Sequence, residues 1–405
     1  MAVGEKMKRL LRIGFDIFIT SFTSIISWFL IGIIIDKNLT NVFSLTYPLQ
    51  CLMGIIVSIF GVGANICVHK DENKNAADNG IFLGLIISCV IFGFIAINSK
   101  YYINFMNMKE DTYLTFCNYS IIQILLQTIL QLVITKLYYL EQNKQANLVV
   151  ILFNTINFFA LIITALVSNN QLITSLVTLL VLLVFDLILL FKYIDKIDFK
   201  LNLKNCFKYD AVSCSISIMF FIIYLFGFSS SFSFGEKYVI AITFTTLVTD
   251  IQWDMYSAIK TVAKIDIVKK KFDYTYHFKN ALKFILILVA SVLLMSIIMY
   301  PVYKPQITIV SIFILLHLYD FLITPFKNIK ICYLELEQST VITTVNTIIA
   351  YILRIIISFL PTPFCTVFGQ VCSSTYEFIY ANIAYKKYER KINDFRIIAF
   401  MDNVI

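Results

Sequence analysis

Residues 172–191 form an apolar run, LITSLVTLLVLLVFDLILLF, in which Asp186 is the one charged side chain. A helix of about 20 predominantly apolar residues is long enough to cross the hydrocarbon core of a bilayer. Such a run restricts the structures open to a chain, because backbone amides and carbonyls inside lipid need partners within the protein. The run therefore predicts a membrane-spanning helix.

Similar apolar runs recur along the whole chain, separated by polar or charged clusters. Hydrophobic residues make up 59% of the sequence and charged residues 14%, whereas soluble proteins contain about 25% charged residues. The alternating ten-residue pattern of a membrane β-barrel is not seen, so we expect an all-α integral membrane protein with about twelve transmembrane helices. The predicted spans are 11–35, 43–68, 79–97, 114–137, 145–167, 171–194, 210–232, 238–264, 277–299, 305–335, 340–359 and 363–386.

The basic residues are distributed unevenly between the two sides of this topology. Of the 33 Lys and Arg residues, 27 fall in the N-terminal segment and the other segments on its side, and five fall on the opposite side. Cytoplasmic loops retain positive charge, so both termini are expected in the cytoplasm of a cell-membrane protein. The net charge of +8 then faces anionic lipid headgroups, which predicts membrane lipids and no nucleic acid as partners.

The chain also contains a weak internal repeat. KLYYLEQNKQ from Lys136 aligns with KICYLELEQS from Lys330, at an offset that also brings together the ends of the sixth and twelfth spans. Six spans followed by six in the same orientation predict two pseudo-symmetric lobes with a cavity between them. The predicted lobes comprise residues 1–194 and 210–405, joined by a cytoplasmic linker at 195–209.

Three segments of the sequence are similar to one transporter family. Residues 47–84 contain a proline-led helix, a patch of small residues and a charged loop; residues 137–164 and 319–356 contain comparable patterns of small and polar residues. The chain thus resembles the multidrug and toxic compound extrusion (MATE) branch of the MOP flippase superfamily. The resemblance implies a V-shaped pair of lobes and alternating access, coupled to proton or sodium entry. Ser27 in SWFLIG stands where proton-coupled members carry an Asp.

Carboxylates inside the spans are candidates for ion coupling, because a charge at mid-bilayer costs about 2.5–3.5 kcal/mol. The resemblance places an ion-linked carboxylate of sodium-coupled members at Asp320. Pro325 lacks an N–H and frees the carbonyl of Phe321, an additional oxygen ligand. The alternative is a structural ion pair of Asp320 with Lys327 or Arg354.

Further acids lie in the eighth span and in the last span of each half. Asp250 and Asp254 lie four residues apart on one helix face, where mutual repulsion favours protonation of one, with Trp253 between them as a cavity wall. Glu377 is a further ion-coupling or cavity candidate. The structural alternatives are pairing of Asp254 with Lys260 and of Asp186 with Lys192, and Asp16 is expected at the membrane interface.

Polar residues in the first half are spaced at three or four residues in several cases, which is typical of a helix face that lines a wet cavity. They fit interhelical hydrogen bonds equally well. The candidates for a substrate cavity are Ser27, Gln127, Asn154 and Asn157, with Asn65, Gln123 and Gln131 as further polar positions.

Catalytic and cofactor signatures are missing from the sequence. No Walker A, GxSxG or HExxH motif occurs, the three His residues are dispersed, and the nine Cys residues contain no CxxC pair. We therefore expect neither an enzyme nor a bound metal or cofactor, apart from a coupling H⁺ or Na⁺.

The prediction is a monomeric, ion-coupled exporter of small organic solutes, cationic or amphiphilic. The alternative is a flippase for a lipid-linked oligosaccharide or another lipid intermediate. Basic residues lining the central cavity favour the flippase, and acids there favour cation export. The acids in the spans outnumber the single mid-span Arg354, which favours the exporter.

Overall fold

The computed structural model describes residues 23–36, 39, 41–108, 113–140, 142–268, 272–337 and 340–402. Within these ranges the regular secondary structure is entirely helical. The first half contains α1 Thr23–Ile34, α2 Val42–Ile56, a π-helical segment Val57–Gly63, α3 Ala64–Lys70, α4 Ala76–Ile97, α5 Ser99–Phe105, α6 Leu114–Tyr139, α7 Asn143–Ser168 and α8 Gln171–Tyr193. The second half contains α9 Leu203–Tyr209, α10 Ala211–Phe232, α11 Glu236–Thr249, α12 Ile251–Val268, α13 Tyr274–Tyr303, α14 Ile307–Glu337, α15 Thr340–Ser358 and α16 Cys365–Asp402.

The described helices account for every predicted span except for residues 11–22 of the first one, which lie outside the described residues. Eight are long and apolar enough to cross a membrane, and two shorter apolar helices occupy Thr23–Ile34 and Ile342–Ser358. The two remaining spans correspond to the pair α11 and α12 and to the first part of α16. The expectation of an all-α protein with multiple membrane-spanning helices is therefore confirmed.

One span was predicted wrongly as a single helix. The predicted span 238–264 consists of α11 and α12, and Asp250 is the residue between them. The apolar pattern continues across this position, which is why hydropathy alone did not reveal the interruption. The break places the Asp250 carboxyl at the junction of two helix ends.

The turn between α7 and α8 shows how the sequence ends one helix and starts the next. Asn169 adopts a left-handed backbone conformation with φ 46° after the last turn of α7. Asn170 then caps α8, because its side-chain oxygen accepts hydrogen bonds from the backbone N–H groups of Leu172 and Ile173 at 2.9 and 3.1 Å. Two residues thus connect antiparallel helices.

Close packing in the first half depends on glycine. A Cβ atom at Gly80 in α4 would lie 2.3 Å from the carbonyl oxygen of Phe60, and one at Gly63 would lie 2.2 Å from that of Cys206. Both glycines let backbone segments approach the π-helical segment or its end. These contacts hold α4 and α9 against Val57–Gly63.

Helices pack mainly against neighbours within the same half. α6 packs on α4, α7 and α8 in the first half, whereas α16 packs on α14 and α15 in the second. α2 packs on α10 and α11, and α9 packs on the π-helical segment, so these pairs connect the two halves. The division into lobes 1–194 and 210–405 remains a prediction; its proposed linker 195–209 includes α9.

Candidate functional site

The second half encloses a cavity of about 610 Å³, here called the larger cavity. Side chains from five helices and from the α9–α10 junction form its wall. Its charged, amide, hydroxyl and aromatic lining includes Lys208, Asp210, Phe220, Trp253, Tyr256, Lys260, Asp320, Thr324, Lys327, Asn328, Tyr351, Arg354, Gln370, Ser374 and Glu377.

Asp320 lies on the wall of this cavity with 1% of its surface exposed. Its carboxylate accepts three hydrogen bonds, from Tyr256 Oη at 3.2 Å, Thr324 Oγ1 at 2.8 Å and Gln370 Nε2 at 2.8 Å. These donors come from α12, α14 and α16. A buried carboxylate is thus held by neutral donors from three helices.

Gln370 also connects Asp320 to a buried cation. Its Oε1 atom accepts a hydrogen bond from Arg354 Nη2 at 3.3 Å, and the Arg354 guanidinium lies 5.0 Å from the ring centroid of Phe220 and 5.8 Å from that of Tyr224. Cation–π contacts of this kind stabilise a buried guanidinium. The direct ion pair of Asp320 with Arg354, one of the structural alternatives, is not found among the described residues.

Lys327 pairs with Glu377 of α16, with its ammonium group against the carboxylate. It also donates a hydrogen bond to Ser374 at 3.1 Å. The alternative pairing of Lys327 with Asp320 is therefore wrong. Seven residues of helix separate them by about 10 Å along the axis, and α16 supplies a nearer partner.

The larger cavity carries more basic than acidic side chains. Four basic residues line it (Lys208, Lys260, Lys327 and Arg354), with three acidic residues (Asp210, Asp320 and Glu377). The sequence-based balance, in which acids in the spans outnumbered Arg354, is wrong for this cavity. Lysines assigned to cytoplasmic loops contribute to its wall.

A second cavity of about 380 Å³, here called the smaller cavity, lies beside the first half. Two of the substrate-cavity candidates, Gln127 and Asn154, line it. Asp250 is the one charged residue in its described lining, and its Oδ1 accepts a hydrogen bond from Tyr47 Oη at 2.5 Å. That distance is typical of a hydroxyl donating to a carboxylate.

The two cavities share an aromatic wall. Phe220 and Trp253 line both, and their rings meet edge to face with centroids 6.0 Å apart. Trp253, a cavity candidate from the sequence, thus lies on the wall of both cavities. One aromatic ring pair therefore borders both cavities.

Ser27 and Asn157 lie elsewhere, beside a small void of about 10 Å³. Ser27 Oγ donates to the carbonyl oxygen of Thr23 at 2.7 Å, and Asn157 Oδ1 accepts from Tyr119 Oη at 3.5 Å. Both are buried and neither lines the larger or the smaller cavity. Their contacts are those of structural hydrogen bonds.

Three of the acids are not brought into these cavities by the described structure. The side chain of Asp254 and the whole of Asp16 lie outside the described residues. Asp186 in α8 is 1% exposed, and neither carboxylate oxygen has a hydrogen-bond partner among the described residues. The expected pairing of Asp186 with Lys192 is therefore not found there.

Several residues of the larger cavity did not emerge from the sequence. Tyr256, Gln370 and Ser374 are polar positions within spans, and their spacing alone does not distinguish them from other polar positions. The available signal was the QVCSSTYE segment of α16, in which Gln370, Ser374 and Glu377 recur at four and three residues. Groups of three or more Cys, His, Asp or Glu able to hold a metal ion are not found in the described part of the chain.

No protein-family profile and no curated protein sequence matches the chain. Solved structures match nearly its full length. An inward-facing MATE transporter of the MOP superfamily is 15% identical, with a TM-score of 0.64, and the match covers 94% of this chain and 95% of that one. The outward-facing conformation of a MATE transporter is 16% identical, with a TM-score of 0.63 and coverage of 95% and 97%.

A third solved structure is a MOP superfamily transporter from Pyrococcus furiosus, described as having a binding pocket of reverse polarity that suggests a different function. It is 15% identical, with a TM-score of 0.65, and the match covers 94% of this chain and 96% of that one. The three structures thus agree in coverage and in overall geometry with this chain. The chain therefore has the fold of the MATE transporters of the MOP superfamily.

Proposed function

We propose that this protein is a monomeric, multi-pass transporter of the cell membrane that exports amphiphilic organic solutes by alternating access. Transport is coupled to entry of H⁺ or Na⁺, and both termini face the cytoplasm. The fold supports membrane transport, and the excess of basic residues in the predicted cytoplasmic segments supports the orientation. The substrate is a small organic molecule that enters the cavities.

The observation that carries this proposal is Asp320, a buried carboxylate on the wall of a cavity of about 610 Å³. An ionisable residue within a membrane-spanning segment marks an ion or substrate pathway by default. A proton or Na⁺ bound at Asp320 competes with the Gln370 amide for the carboxylate oxygen. Since Gln370 also accepts from Arg354, ion occupancy changes the position of a cation on the cavity wall.

Alternating access then follows from linkage. The ion and the solute each bind with different affinity to the two orientations of the cavity, and each biases the equilibrium through that difference. The Asp320–Gln370–Arg354 chain is the contact through which the two ligands influence each other. Asp250, Asp254 and Glu377 are proposed as additional ion or cavity residues.

A flippase for a lipid-linked intermediate is the second candidate. The four basic residues lining the larger cavity support it, because Lys and Arg recognise phosphate groups. A lipid-linked saccharide requires its polar headgroup to pass through the cavity while the lipid chain stays in the membrane. The three acids in the same wall weigh against a strongly anionic cargo.

Transport in proteoliposomes tests the proposal. A fluorescent amphiphile is loaded inside, and its flux is measured under an imposed proton or sodium gradient. Wild-type protein is expected to show gradient-dependent flux, and Asp320→Asn is expected to lose that dependence. Unchanged flux of the variant under both gradients would show that Asp320 is not the coupling group.

Asp186→Asn is the matched control, since it removes another buried acid from a span without touching the larger cavity. We expect its flux to equal that of the wild type. A translocation assay with a pyrophosphate-linked lipid separates the second candidate. Translocation of that lipid without flux of the amphiphile would favour the flippase.

A further inference from the structure

The two cavities have opposite electrical character. In the larger cavity, Glu377 is paired with Lys327 and Asp320 is held by neutral donors. The smaller cavity has one charged residue in its described lining, the acid Asp250. Among the described lining residues, four cations and three carboxylates give the larger cavity a formal charge of +1, whereas Asp250 gives the smaller cavity a formal charge of −1.

The positive character of the larger cavity comes from cations without acidic partners. Lys208, Lys260 and Arg354 have no carboxylate within ion-pair distance among the residues that the structure describes. Arg354 is 3% exposed, and its Nε atom has no hydrogen-bond partner in the same set. A planar guanidinium and two ammonium groups are the donors that recognise phosphate and carboxylate groups.

The smaller cavity combines one carboxylate with aromatic rings. Besides Phe220 and Trp253, it is lined by Tyr47 and Tyr224, whose ring centroids lie 5.3 Å apart. Tyr47 donates its hydroxyl to Asp250, so one of these aromatic residues contacts the acid directly. Aromatic faces beside a carboxylate recognise quaternary ammonium groups through cation–π and ionic attraction.

We propose that the cargo is a zwitterionic amphiphile, with a quaternary ammonium group in the smaller cavity at Asp250 and a phosphate or carboxylate in the larger cavity at Arg354, Lys208 and Lys260. Its apolar part lies against the shared wall of Phe220 and Trp253. This inference rests on the proposed transport function and specifies the substrate class. The described lining of the smaller cavity has no basic residue, so the anionic group is assigned to the larger cavity.

Binding titrations with three compounds of equal chain length test this inference. Hexylphosphocholine is zwitterionic, hexyltrimethylammonium is a cation, and hexyl phosphate is an anion. Trp28 and Trp253 are the two tryptophans of the chain, so Trp28→Phe leaves Trp253 as a fluorescent reporter on the shared wall. We expect hexylphosphocholine to bind about tenfold more tightly than either of the others.

Charge variants assign each group to its cavity. Asp250→Asn is expected to weaken binding of hexylphosphocholine and hexyltrimethylammonium about fivefold and to leave hexyl phosphate unchanged. The double variant Lys208→Gln with Lys260→Gln is expected to weaken the binding of hexylphosphocholine and of hexyl phosphate. The affinity for hexyltrimethylammonium is expected to stay unchanged. The side chains of both lysines are exposed, so we expect the fold to tolerate their replacement.

Controls match these variants in chemistry and exposure. Asp186→Asn removes a buried acid elsewhere, and Lys192→Gln with Lys283→Gln removes two exposed lysines outside both cavities. Free phosphocholine separates a soluble zwitterion from a lipid-like one. We expect the hexyl chain to tighten binding, and equal affinities would show that the amphiphilic part of the inference is wrong.

Two results would overturn the inference. One is a zwitterion that binds no more tightly than the better of the two singly charged compounds. The other is that Asp250→Asn and the double lysine variant weaken the binding of the same singly charged compound. The titration needs no ion gradient, so it fails or succeeds separately from the proteoliposome assay of Asp320→Asn.

Discussion

The Lys327 ammonium group in α14 pairs with the Glu377 carboxylate in α16, and the two side chains are only 8% and 11% exposed. A buried pair gains little over an apolar pair, but removing one partner leaves a charge without compensation. The pair therefore makes the α14–α16 contact sensitive to single substitutions.

Lys327→Met is expected to lower the free energy of unfolding by about 3–5 kcal/mol, because it leaves Glu377 buried and unpaired. The double variant Lys327→Met with Glu377→Gln is expected to lose less of the free energy of unfolding than Lys327→Met alone. Thermal unfolding in detergent measures both. Lys330→Met is the control, since Lys330 on the same helix donates to the neutral Asn382; a loss in Lys327→Met no greater than in this control would contradict the prediction.

Gly80→Ala and Gly93→Ala in α4 are expected to have different effects on the free energy of unfolding. The Cβ atom at Gly80 would lie 2.3 Å from the Phe60 carbonyl oxygen and 2.5 Å from the Ala64 methyl group, whereas nothing lies within 4 Å at Gly93. Overpacking at Gly80 is expected to cost about 1–3 kcal/mol. Gly93→Ala is expected to be neutral or stabilising by up to about 1 kcal/mol, and equal melting temperatures for the two variants would contradict this.

Asp186→Asn is expected to stabilise the protein or leave it unchanged. The buried Asp186 oxygens have no hydrogen-bond partner among the described residues, so replacing the carboxyl group by an amide breaks no hydrogen bond there. Comparison of melting temperatures in detergent checks the prediction. A clear loss of stability would indicate that the carboxylate has a partner or a bound ion.

Acid is expected to release the linker from the start of α4. Hydrogen bonds from the side chains of Asn75 and Asn79 lower the pKa of Asp198 to about 2, from an ordinary value near 4. A lowered pKa contributes stability that is complete above about pH 4 and is lost as the pH falls towards 2. The backbone N–H of Lys200 donates a hydrogen bond to Asp198 Oδ1 at 3.1 Å. The protection of this amide against hydrogen exchange is therefore expected to fall over this pH range.

Asp198→Asn provides the comparison for this pH dependence. The variant cannot titrate, so the protection of the Lys200 amide is expected to be low and independent of pH between about 4 and 2. The same pH step in wild type and variant would show that another group releases the linker.

The fold was largely predictable, because membrane spans depend on local composition. A run such as 172–191 excludes other structures, and α8 occupies Gln171–Tyr193. The interruption at Asp250 was not predictable in this way, since hydropathy responds to average composition and not to the backbone at one residue. The charge of Asp250 marks it as a candidate in the sequence, whereas its position at a helix junction is visible only in the structure.

The candidate site was predictable in its acids and not in their partners. Asp320, Glu377 and Trp253, three of the candidates from the sequence, line the larger cavity. Their partners come from helices distant in sequence: Gln370 reaches Asp320 across 50 positions, and Lys327 reaches Glu377 across the same interval. Such contacts depend on how helices pack, which a single sequence does not specify.

The connection between the two halves is fixed to the first half along most of its length and is not a flexible linker. Asn75 and Asn79 hold Asp198, α9 packs on the π-helical segment, and α10 begins after Asp210 alone. Residues 198–209 are thus attached to the first half, and Asp210 is the single residue that separates them from α10. Asp210 also lines the larger cavity, so a rotation of α10 about this residue would displace part of the cavity wall.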